Sequence, residues 1–273
     1  MYIRKKILFL LSLIFSLSVL SSDIEEIIVK GEYREKSLGE EDSSILVIQS
    51  EQIKSEAIKH FQQLSHLVPN LNYAASDSRA RYFQIRGIGE RSGYQGTPNS
   101  SVGFLIDDID YSGQGGIATL FDVDQVEVFR GPQGSRSGAN ALAGLIYIKT
   151  KDPTEKFEGT SELTLGDYGT QNIGIAFGGP MQNKKLKYRL VLRTDYADGF
   201  RKNIYLNKSD TSKKDELTLR YKLNWELNET TNLDFLVSKV DMDDPADIWT
   251  IDGSLNTLSD RPGMDSHCLL YTS

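Results

Sequence analysis

The chain has 273 residues, of which 39% are hydrophobic, 25% are charged and 10% are aromatic. This composition excludes a disordered chain, a collagen-like chain and a bundle of transmembrane helices. Asp and Glu number 38 against 31 Lys and Arg, and the formal net charge of -7 disfavours nucleic acid as a partner, because such binding depends on neutralising phosphates. With a single cysteine, Cys268, the chain cannot form an internal disulfide or a cysteine-based zinc site.

The first 22 residues have the three parts of a secretory signal peptide. Arg4, Lys5 and Lys6 form a basic start, an apolar run occupies residues 7–20, and two serines precede Asp23. The apolar run is shorter than the roughly 20 residues that a membrane-spanning helix needs. We therefore predict cleavage next to Ser22 and export from the cytoplasm, with an uncleaved anchor as the alternative.

Residues 266–273 differ from the chain before them. They contain the cysteine, they break the preceding alternation of apolar and polar residues, and they resemble translated adapter or frame-shifted DNA. We predict a non-native tail at this end and therefore a truncated protein.

Residues 23 to about 150 have the pattern of a mixed α+β unit. A β-prone segment at 24–30 precedes a charged stretch at 31–42 that has little to bury. Helical spacing of apolar residues predicts two short helices between residues 50 and 68. Short apolar runs separated by glycine-rich connections predict strands at 45–48, 82–87, 102–109, 125–130 and 145–150.

From about residue 157 the apolar and polar side chains alternate with a period of two. Five segments show this pattern, at 157–165, 173–177, 186–196, 217–227 and 233–240. Strands of about ten residues with one apolar and one charged face are typical of a transmembrane β-barrel. Short turns at 179–183 and 228–232 and a longer polar loop at 198–215 fit the same pattern. The alternative is a soluble antiparallel sheet that packs its apolar face on a core.

Several motifs, in order along residues 24–265, resemble those of TonB-dependent outer-membrane receptors. The most specific is VEVFRGPQG at 126–134, followed by GANALAG at 138–144. Weaker matches are EEIIVKG at 25–31, VPN at 68–70, IRGIG at 85–89 and VGFLIDDI at 102–109. The chain departs from the family pattern at Asp108, where the family usually has glycine, and at residues 135–137.

The resemblance implies the fold class and the domain order. The fold is an α+β plug domain followed by the first strands, about five, of a truncated antiparallel transmembrane β-barrel, which in the family has 22 strands. The implied segments are a signal peptide at 1–22, a TonB box and linker at 23–42, the plug at 43–153 and a partial barrel at 154–265.

The resemblance also implies three sets of functional residues. The TonB box comprises Glu25, Glu26, Ile27, Ile28 and Val29. Solute contacts at the plug apices, in loops 88–101 and 110–117, comprise Arg91, Tyr94, Gln95, Asn99, Tyr111 and Gln114. A plug–barrel polar network comprises Arg86, Glu127 and Arg130, with both arginines paired to barrel carboxylates. The alternative for each arginine is an exposed position at a strand end.

Other kinds of site find little support in the residues. The glycine-rich loops lack the spacing of a dinucleotide site and the lysine of a P-loop. Asp107, Asp108 and Asp110 favour a polar turn over a cation site, because neighbours on a strand point to opposite faces. His60 and His66 fall on different helix faces, so they cannot share a metal. We therefore predict no cofactor, no metal and no enzymatic activity.

The predicted function is TonB-dependent active uptake of a scarce solute across the bacterial outer membrane. The solute is of the siderophore-iron, vitamin or oligosaccharide type. The predicted partners are TonB with its inner-membrane energising complex, the extracellular solute and outer-membrane lipid, without nucleic acid. The rival prediction is a secreted or periplasmic β-rich binding or adhesion protein.

Overall fold

The computed structural model describes residues 26–31, 34, 36–75, 79–91, 99–134, 138, 140–181, 184–200 and 213–243. The predicted signal peptide, Glu25, Tyr94, Gln95, the stretch 244–265 and the tail at 266–273 lie outside these residues. The chain divides into two units, 1–41 and 42–273. Among the described residues, no helix is both long enough and apolar enough to cross a membrane.

The first unit contains a short pair of strands. Strand β1 (Ile28–Val29) pairs antiparallel with β2 (Lys36–Ser37), and a single 3-10 turn, Leu38–Glu40, follows. The Leu38 N–H donates to the Ile27 carbonyl at 2.8 Å and extends this pairing by one hydrogen bond. The stretch predicted as a charged linker thus contains a strand and a helical turn.

The second unit begins with the mixed α+β part that the sequence predicts. Its helices are α1 (Ser50–Ser55) and α2 (Phe61–Leu64), and single 3-10 turns lie at Ser65–Leu67 and Gly115–Ile117. Its strands are β3 (Ile45–Gln49), β4 (Leu71–Ala75), β5 (Ala80–Ile85), β6 (Val102–Ile106), β7 (Ile109–Asp110), β8 (Val123–Arg130) and β9 (Gly144–Thr150).

One five-stranded sheet organises this part, in the order β3-β8-β9-β6-β7. Strands β6 and β9 are parallel, and the other neighbours are antiparallel. Strands β8 and β9 are central and mostly buried on both faces; β9 reads as an apolar run, whereas β8 also carries the buried polar residues Gln125 and Glu127. The helices and the separate β4–β5 hairpin pack on the sheet around Phe61, Phe83 and Phe104, whose rings lie 5.1–5.4 Å apart.

The run predicted as one strand over 102–109 is interrupted. Asp107 and Asp108 take φ values of 47° and 69° and form the two-residue turn between β6 and β7. A two-residue hairpin with positive φ at both positions matches the right-handed twist of its strands, and Asp tolerates that conformation. The two carboxylates therefore lie in a turn and not on opposite faces of a strand.

Five long strands follow: β10 (Glu158–Leu165), β11 (Gln171–Pro180), β12 (Leu186–Ala197), β13 (Lys214–Asn228) and β14 (Thr231–Met242). They form one antiparallel sheet in sequence order. The five predicted strands are confirmed, and the sheet is an open, partial barrel.

The two faces of this second sheet have opposite surroundings. Its apolar face is exposed along its length, as at Leu163, Leu165, Ile173, Ile175, Trp225, Phe235 and Val237. Its charged face is buried, as at Lys187, Arg189, Arg193, Glu216, Arg220 and Lys222. The α+β part covers the charged face through the ion pairs described next. Below, "plug" denotes residues 42–153, and "strand sheet" denotes β10–β14.

Candidate functional site: the charged interface between plug and strand sheet

Asp122 and Arg189 form the most enclosed ion pair of this interface. Arg189 Nε donates to Asp122 Oδ2 at 2.7 Å, and Nη2 donates to Oδ1, so the pair is bidentate. Both side chains are buried. Asp122 lies in the turn before β8 with φ of 59°, and its carbonyl accepts the Lys151 N–H at 3.1 Å. Two parallel charge-assisted bonds fix orientation as well as distance, so this pair sets the register of β12 against the plug.

Lys222 lies at the centre of a second cluster. Its Nζ donates to Asp107 Oδ1 at 3.0 Å, to Asp152 Oδ1 at 3.0 Å and to the Thr150 carbonyl at 3.1 Å. Asp107 also accepts the Thr150 N–H at 3.0 Å and the Thr150 hydroxyl at 2.5 Å. One strand lysine thus joins the β6–β7 turn to the end of β9 and to the segment that leaves the plug.

The acids and lysines of this cluster hold one another in the charged form. Burial opposes ionisation of the Asp152 carboxyl, but Lys222 and Lys149 outweigh it and lower the pKa of Asp152. Burial likewise opposes protonation of Lys149, and Asp152 outweighs it, so the pKa of Lys149 is raised. Asp152 and Lys149 therefore stay charged at neutral pH.

Two contacts have the opposite polarity, with the base on the plug. Arg79 pairs with Glu216 of β13, and both side chains are buried. Lys59 Nζ lies 2.8 Å from Glu162 Oε2 of β10. Glu162 also accepts from Arg193 Nη1 at 2.6 Å, and the Arg193 guanidinium stacks 5.4 Å from the centre of the Phe121 ring. Each side of the interface therefore carries both acids and bases.

The structure does not pair the predicted plug arginines with strand carboxylates among the described residues. Arg86 is exposed, because β5 ends at Ile85 and the chain turns at Arg86 with φ of 53°; its Nη2 donates to Ser44 Oγ at 3.2 Å within the plug. Arg130 is half-buried, and its Nε has no hydrogen-bond partner among the described residues. Arg86 thus takes the alternative position, exposed at a strand end.

Glu127 is fully buried but belongs to the interior of the plug. It lies in the middle of β8, opposite Val47 of β3 and Tyr147 of β9. Its Oε1 accepts from Gln125 Nε2 at 2.5 Å. Glu127 was predicted to join plug and barrel. In the structure it accepts a hydrogen bond from a neighbour on its own strand, because β8 is a central strand of the plug sheet.

The residues that do join plug and strand sheet were only half visible in the sequence. The alternating pattern places Lys187, Arg189, Arg193, Arg220 and Lys222 on one charged face. Their plug partners, Asp107, Asp122 and Asp152, lie in turns and connections, where an acid carries no periodic signal. For Asp107 the sequence indicated a polar turn or a cation ligand, and not a partner for a strand lysine. Among the described residues, no cluster of three or more His, Cys, Asp and Glu side chains is placed to hold a metal.

The candidate solute-contacting residues are only partly described. Arg91, Asn99 and Gln114 are exposed, and Tyr111 is half-buried and packs on the plug core. The turn 110–117 is held by the Gln114 N–H, which donates to the Tyr111 carbonyl at 2.8 Å.

The loop 88–101 is anchored at its base by Glu90. The Glu90 carboxylate is buried and accepts the Ser101 N–H at 2.9 Å and the Ser101 hydroxyl at 2.6 Å. The ends of this loop are therefore fixed to the plug at the start of β6.

Of the predicted TonB box, Ile28 and Val29 form β1, Glu26 is exposed, and Ile27 supplies the carbonyl that accepts from Leu38. The β-prone character that the sequence predicts for this segment is realised as a short strand.

His60 is a buried residue that sequence reasoning left without a role. It precedes α2, is 7% exposed, and lines a cavity of about 270 Å³ between α2 and the ends of β12 and β13. Burial, with Arg79 and Lys214 nearby, holds the pKa of His60 well below its ordinary value. His60 is therefore neutral in the folded protein, whereas His66 is exposed.

Residues 37–145 match the family model described as "TonB-dependent Receptor Plug Domain". This segment is a plug domain of the TonB-dependent receptor family. The matched segment contains the VEVFRGPQG motif and all of β3–β8. The relatives that match the chain are receptors and a vitamin B12 transporter, and one solved structure that matches it is an outer-membrane receptor.

Curated relatives match part of this chain. It is 26% identical over 157 residues to the pesticin receptor of Yersinia pestis, covering 57% of this chain and 23% of that protein. It is 25% identical over 159 residues to the vitamin B12 transporter BtuB of Vibrio vulnificus, covering 54% and 26%. The chain thus spans about a quarter of the length of these relatives.

A solved structure matches the plug and the strand sheet together. The crystal structure of the ferripyoverdine receptor of the outer membrane of Pseudomonas aeruginosa aligns with a TM-score of 0.65 at 19% identity. The alignment covers 81% of this chain and 28% of that one. This likeness confirms the α+β plug followed by a partial barrel.

Proposed function

We propose that this chain forms the plug and the first barrel strands of a receptor that takes up a scarce solute across the outer membrane, energised by TonB. One observation carries the proposal: the strand sheet buries its charged face and exposes its apolar face. A soluble antiparallel sheet does the reverse, because the apolar face supplies its core. An apolar outer surface suits contact with outer-membrane lipid, and a charged inner surface suits a polar plug.

The charged contacts between plug and strand sheet also suit a plug that must move or unfold during transport. An apolar interface repels water, whereas an ion pair that opens can be rehydrated, so a charged plug surface can slide or unfold within the lumen at lower cost. The sheet-edge strand β1 suits recruitment of TonB by strand addition, in which main-chain hydrogen bonds supply the affinity. The exposed residues Arg91, Asn99 and Gln114, with Tyr111, are proposed to contact the solute.

A ferripyoverdine receptor and a vitamin B12 transporter among the relatives support a solute of the siderophore-iron or vitamin type. A pesticin receptor and a vitamin B12 transporter match this chain at nearly equal identity, so the solute class stays open between these types, with oligosaccharides as a further option.

The test is uptake of labelled solute by cells that do or do not carry the gene. We expect deletion of the gene to abolish accumulation of one member of a panel of ferric siderophores and cobalamin. Deletion of TonB should abolish accumulation of that member while cell-surface binding persists. Uptake that continues at the same rate without TonB would exclude the proposal. The rival, a soluble periplasmic binding protein, predicts release with the periplasm and no heat-modifiable mobility in detergent.

A further inference from the structure

Arg220 of β13 is a buried cation that forms no direct salt bridge among the described residues. The residue is 6% exposed and points into the interface between plug and strand sheet. Its Nη2 donates to the Phe121 carbonyl at 3.3 Å. Its Nη1 is buried and has no hydrogen-bond partner in the described part of the chain. A buried guanidinium with an unused donor is costly unless something else compensates its charge.

The acids nearest in the interface are already committed to other cations. Asp122 is held bidentately by Arg189, and Asp107 is held by Lys222 and by Thr150. Each of these acids is therefore compensated by a base other than Arg220. Among the described residues, Arg220 is thus left with the Phe121 carbonyl as the acceptor of its hydrogen bond, and its Nη1 donor is unused.

A small cavity of about 30 Å³ adjoins Arg220. Hydroxyl groups line part of its wall, and aliphatic side chains close most of the rest; the hydroxyl-bearing residues are Tyr111, Thr119, Thr150, Thr218 and Ser238. A water molecule has a share of about 30 Å³ in the liquid, so the cavity holds one small ion or a water or two, and excludes a polyatomic anion such as phosphate.

We propose that this cavity binds one monovalent anion of the halide type, held by Arg220 Nη1 and by hydroxyl donors from both sides of the interface. A guanidinium N–H and rotatable hydroxyl groups can each donate a hydrogen bond to such an ion, and the unused Nη1 donor of Arg220 is then satisfied. Asp107 also lines the cavity, but its charge is compensated by Lys222. The anion bridges Thr119 of the plug with Thr218 and Ser238 of β13 and β14, whereas the Thr150 hydroxyl already donates to Asp107. This inference is independent of which solute the receptor carries.

The first measurement locates the ion. The receptor is produced from its gene, purified in detergent and crystallised in sodium bromide, and anomalous diffraction is recorded at the bromine edge. We expect one peak within hydrogen-bonding distance of Arg220 Nη1. Peaks confined to exposed lysines, an adventitious ion only, would overturn the proposal, as would a water in the cavity with no anomalous signal.

The second measurement is thermal unfolding in sodium chloride and in sodium gluconate at equal ionic strength. Gluconate is too large for the cavity, so chloride should raise Tm by about 3 °C, in a saturating manner. Arg220→Met should abolish this difference without lowering Tm in gluconate, because the variant buries no uncompensated charge. Lys239→Met, at an exposed cation on β14, should keep the chloride effect. A chloride effect that survives Arg220→Met, or its absence in the unmodified receptor, contradicts the proposal.

Discussion

Asp107 shows how much a single residue does at the plug surface. Its backbone, with φ of 47°, forms half of the β6–β7 turn. Its carboxylate caps the end of β9 through Thr150 and accepts from Lys222 of the strand sheet. The neighbouring Asp108 takes φ of 69° at the position where the family usually has glycine. Asp107 thus forms part of a turn, anchors the end of β9 and contacts the strand sheet.

His60 predicts a specific loss of stability in acid. Burial and the cations Arg79 and Lys214 lower its pKa. Just below the ordinary pKa of histidine, the unfolded chain therefore binds a proton at His60 and the folded plug does not. Stability should therefore fall as the pH drops below about 6.5, by at most about 1.4 kcal/mol per pH unit from this residue. His60→Gln, which stays neutral, should remove that part of the slope in urea unfolding of the purified receptor.

The control is His66→Gln, at the exposed histidine on the following turn. It should leave the slope between pH 5 and pH 7 as it is in the unmodified receptor. An equal slope in His60→Gln and in the unmodified receptor would show that His60 is not a neutral buried group.

Gly144 is required by packing and not by backbone conformation. It begins β9 between β8 and β6, and a Cβ added there would collide with the Phe129 carbonyl oxygen and lie 2.6 Å from Ile85 Cδ1. Gly144→Ala should therefore destabilise the plug by about 1–3 kcal/mol, because close-packed strands cannot shift freely. Gly134→Ala is the matched control, since a Cβ added at Gly134 would meet nothing within 4 Å. Equal urea midpoints for the two variants would contradict this explanation.

At the scale of elements, β12 and β13 act as a clamp on the plug through Arg189 and Lys222. We expect Asp122→Asn to lower the free energy of plug unfolding by about 3–5 kcal/mol, because it leaves Arg189 buried without a compensating charge. Arg189→Met combined with Asp122→Asn should recover part of that loss, since the double variant buries no charge at this position.

The control for the clamp is the exposed pair Lys239 and Asp241, 3.1 Å apart on β14. Lys239→Met should change the unfolding free energy by less than about 1 kcal/mol, because water screens an exposed pair. The measurement is the urea midpoint of the plug in the purified receptor. An additive double variant would show that Asp122 and Arg189 do not interact in solution.

A proline in β1 should uncouple solute uptake from TonB. Proline at position 28 removes a backbone donor from the middle of the segment proposed to pair with TonB, and it restricts Ile27. Ile28→Pro should abolish energised uptake while equilibrium binding of labelled solute to cells is unchanged. Ile28→Thr keeps the N–H and the β-branched shape, so it should transport at close to the normal rate. Wild-type accumulation by Ile28→Pro would exclude β1 as the coupling contact.

At the scale of the whole molecule, the two parts differ in what they need to fold. The plug has a continuous apolar core of its own, built on β8, β9 and the aromatic cluster. Among the described residues of the strand sheet, Ala176 and Val191 form a small buried apolar cluster with Phe121 of the plug.

Residues 23–153 expressed alone should therefore be soluble and unfold cooperatively. Residues 157–265 alone should aggregate, because the sheet has unpaired edges, an exposed apolar face and charges that the plug no longer compensates. Size-exclusion chromatography and thermal melts of the two segments separate these outcomes. A monodisperse, cooperatively melting 157–265 segment would contradict the barrel interpretation of this sheet.

The sequence by itself determined most of the elements and their faces, although β2 and β4 were not predicted and the run 102–109 divides into β6 and β7. Periods of two and 3.6 report local geometry, so the five long strands, the two short helices and the central strands β8 and β9 were all predicted close to their observed positions. The charged inner face of β12 and β13 followed from the same alternation. The VEVFRGPQG motif was sufficient to indicate the receptor family.

Only the tertiary structure decided which charges meet. Asp107, Asp122 and Asp152 lie in turns, up to 115 residues along the chain from their strand partners, and a turn has no period that reveals where its side chain points. Arg86 and Arg130 carried a family expectation, but Arg86 turned outward because a positive φ ends β5 at that residue. Partners in an ion pair are selected by distance in the folded chain, and a sequence orders residues only along its length.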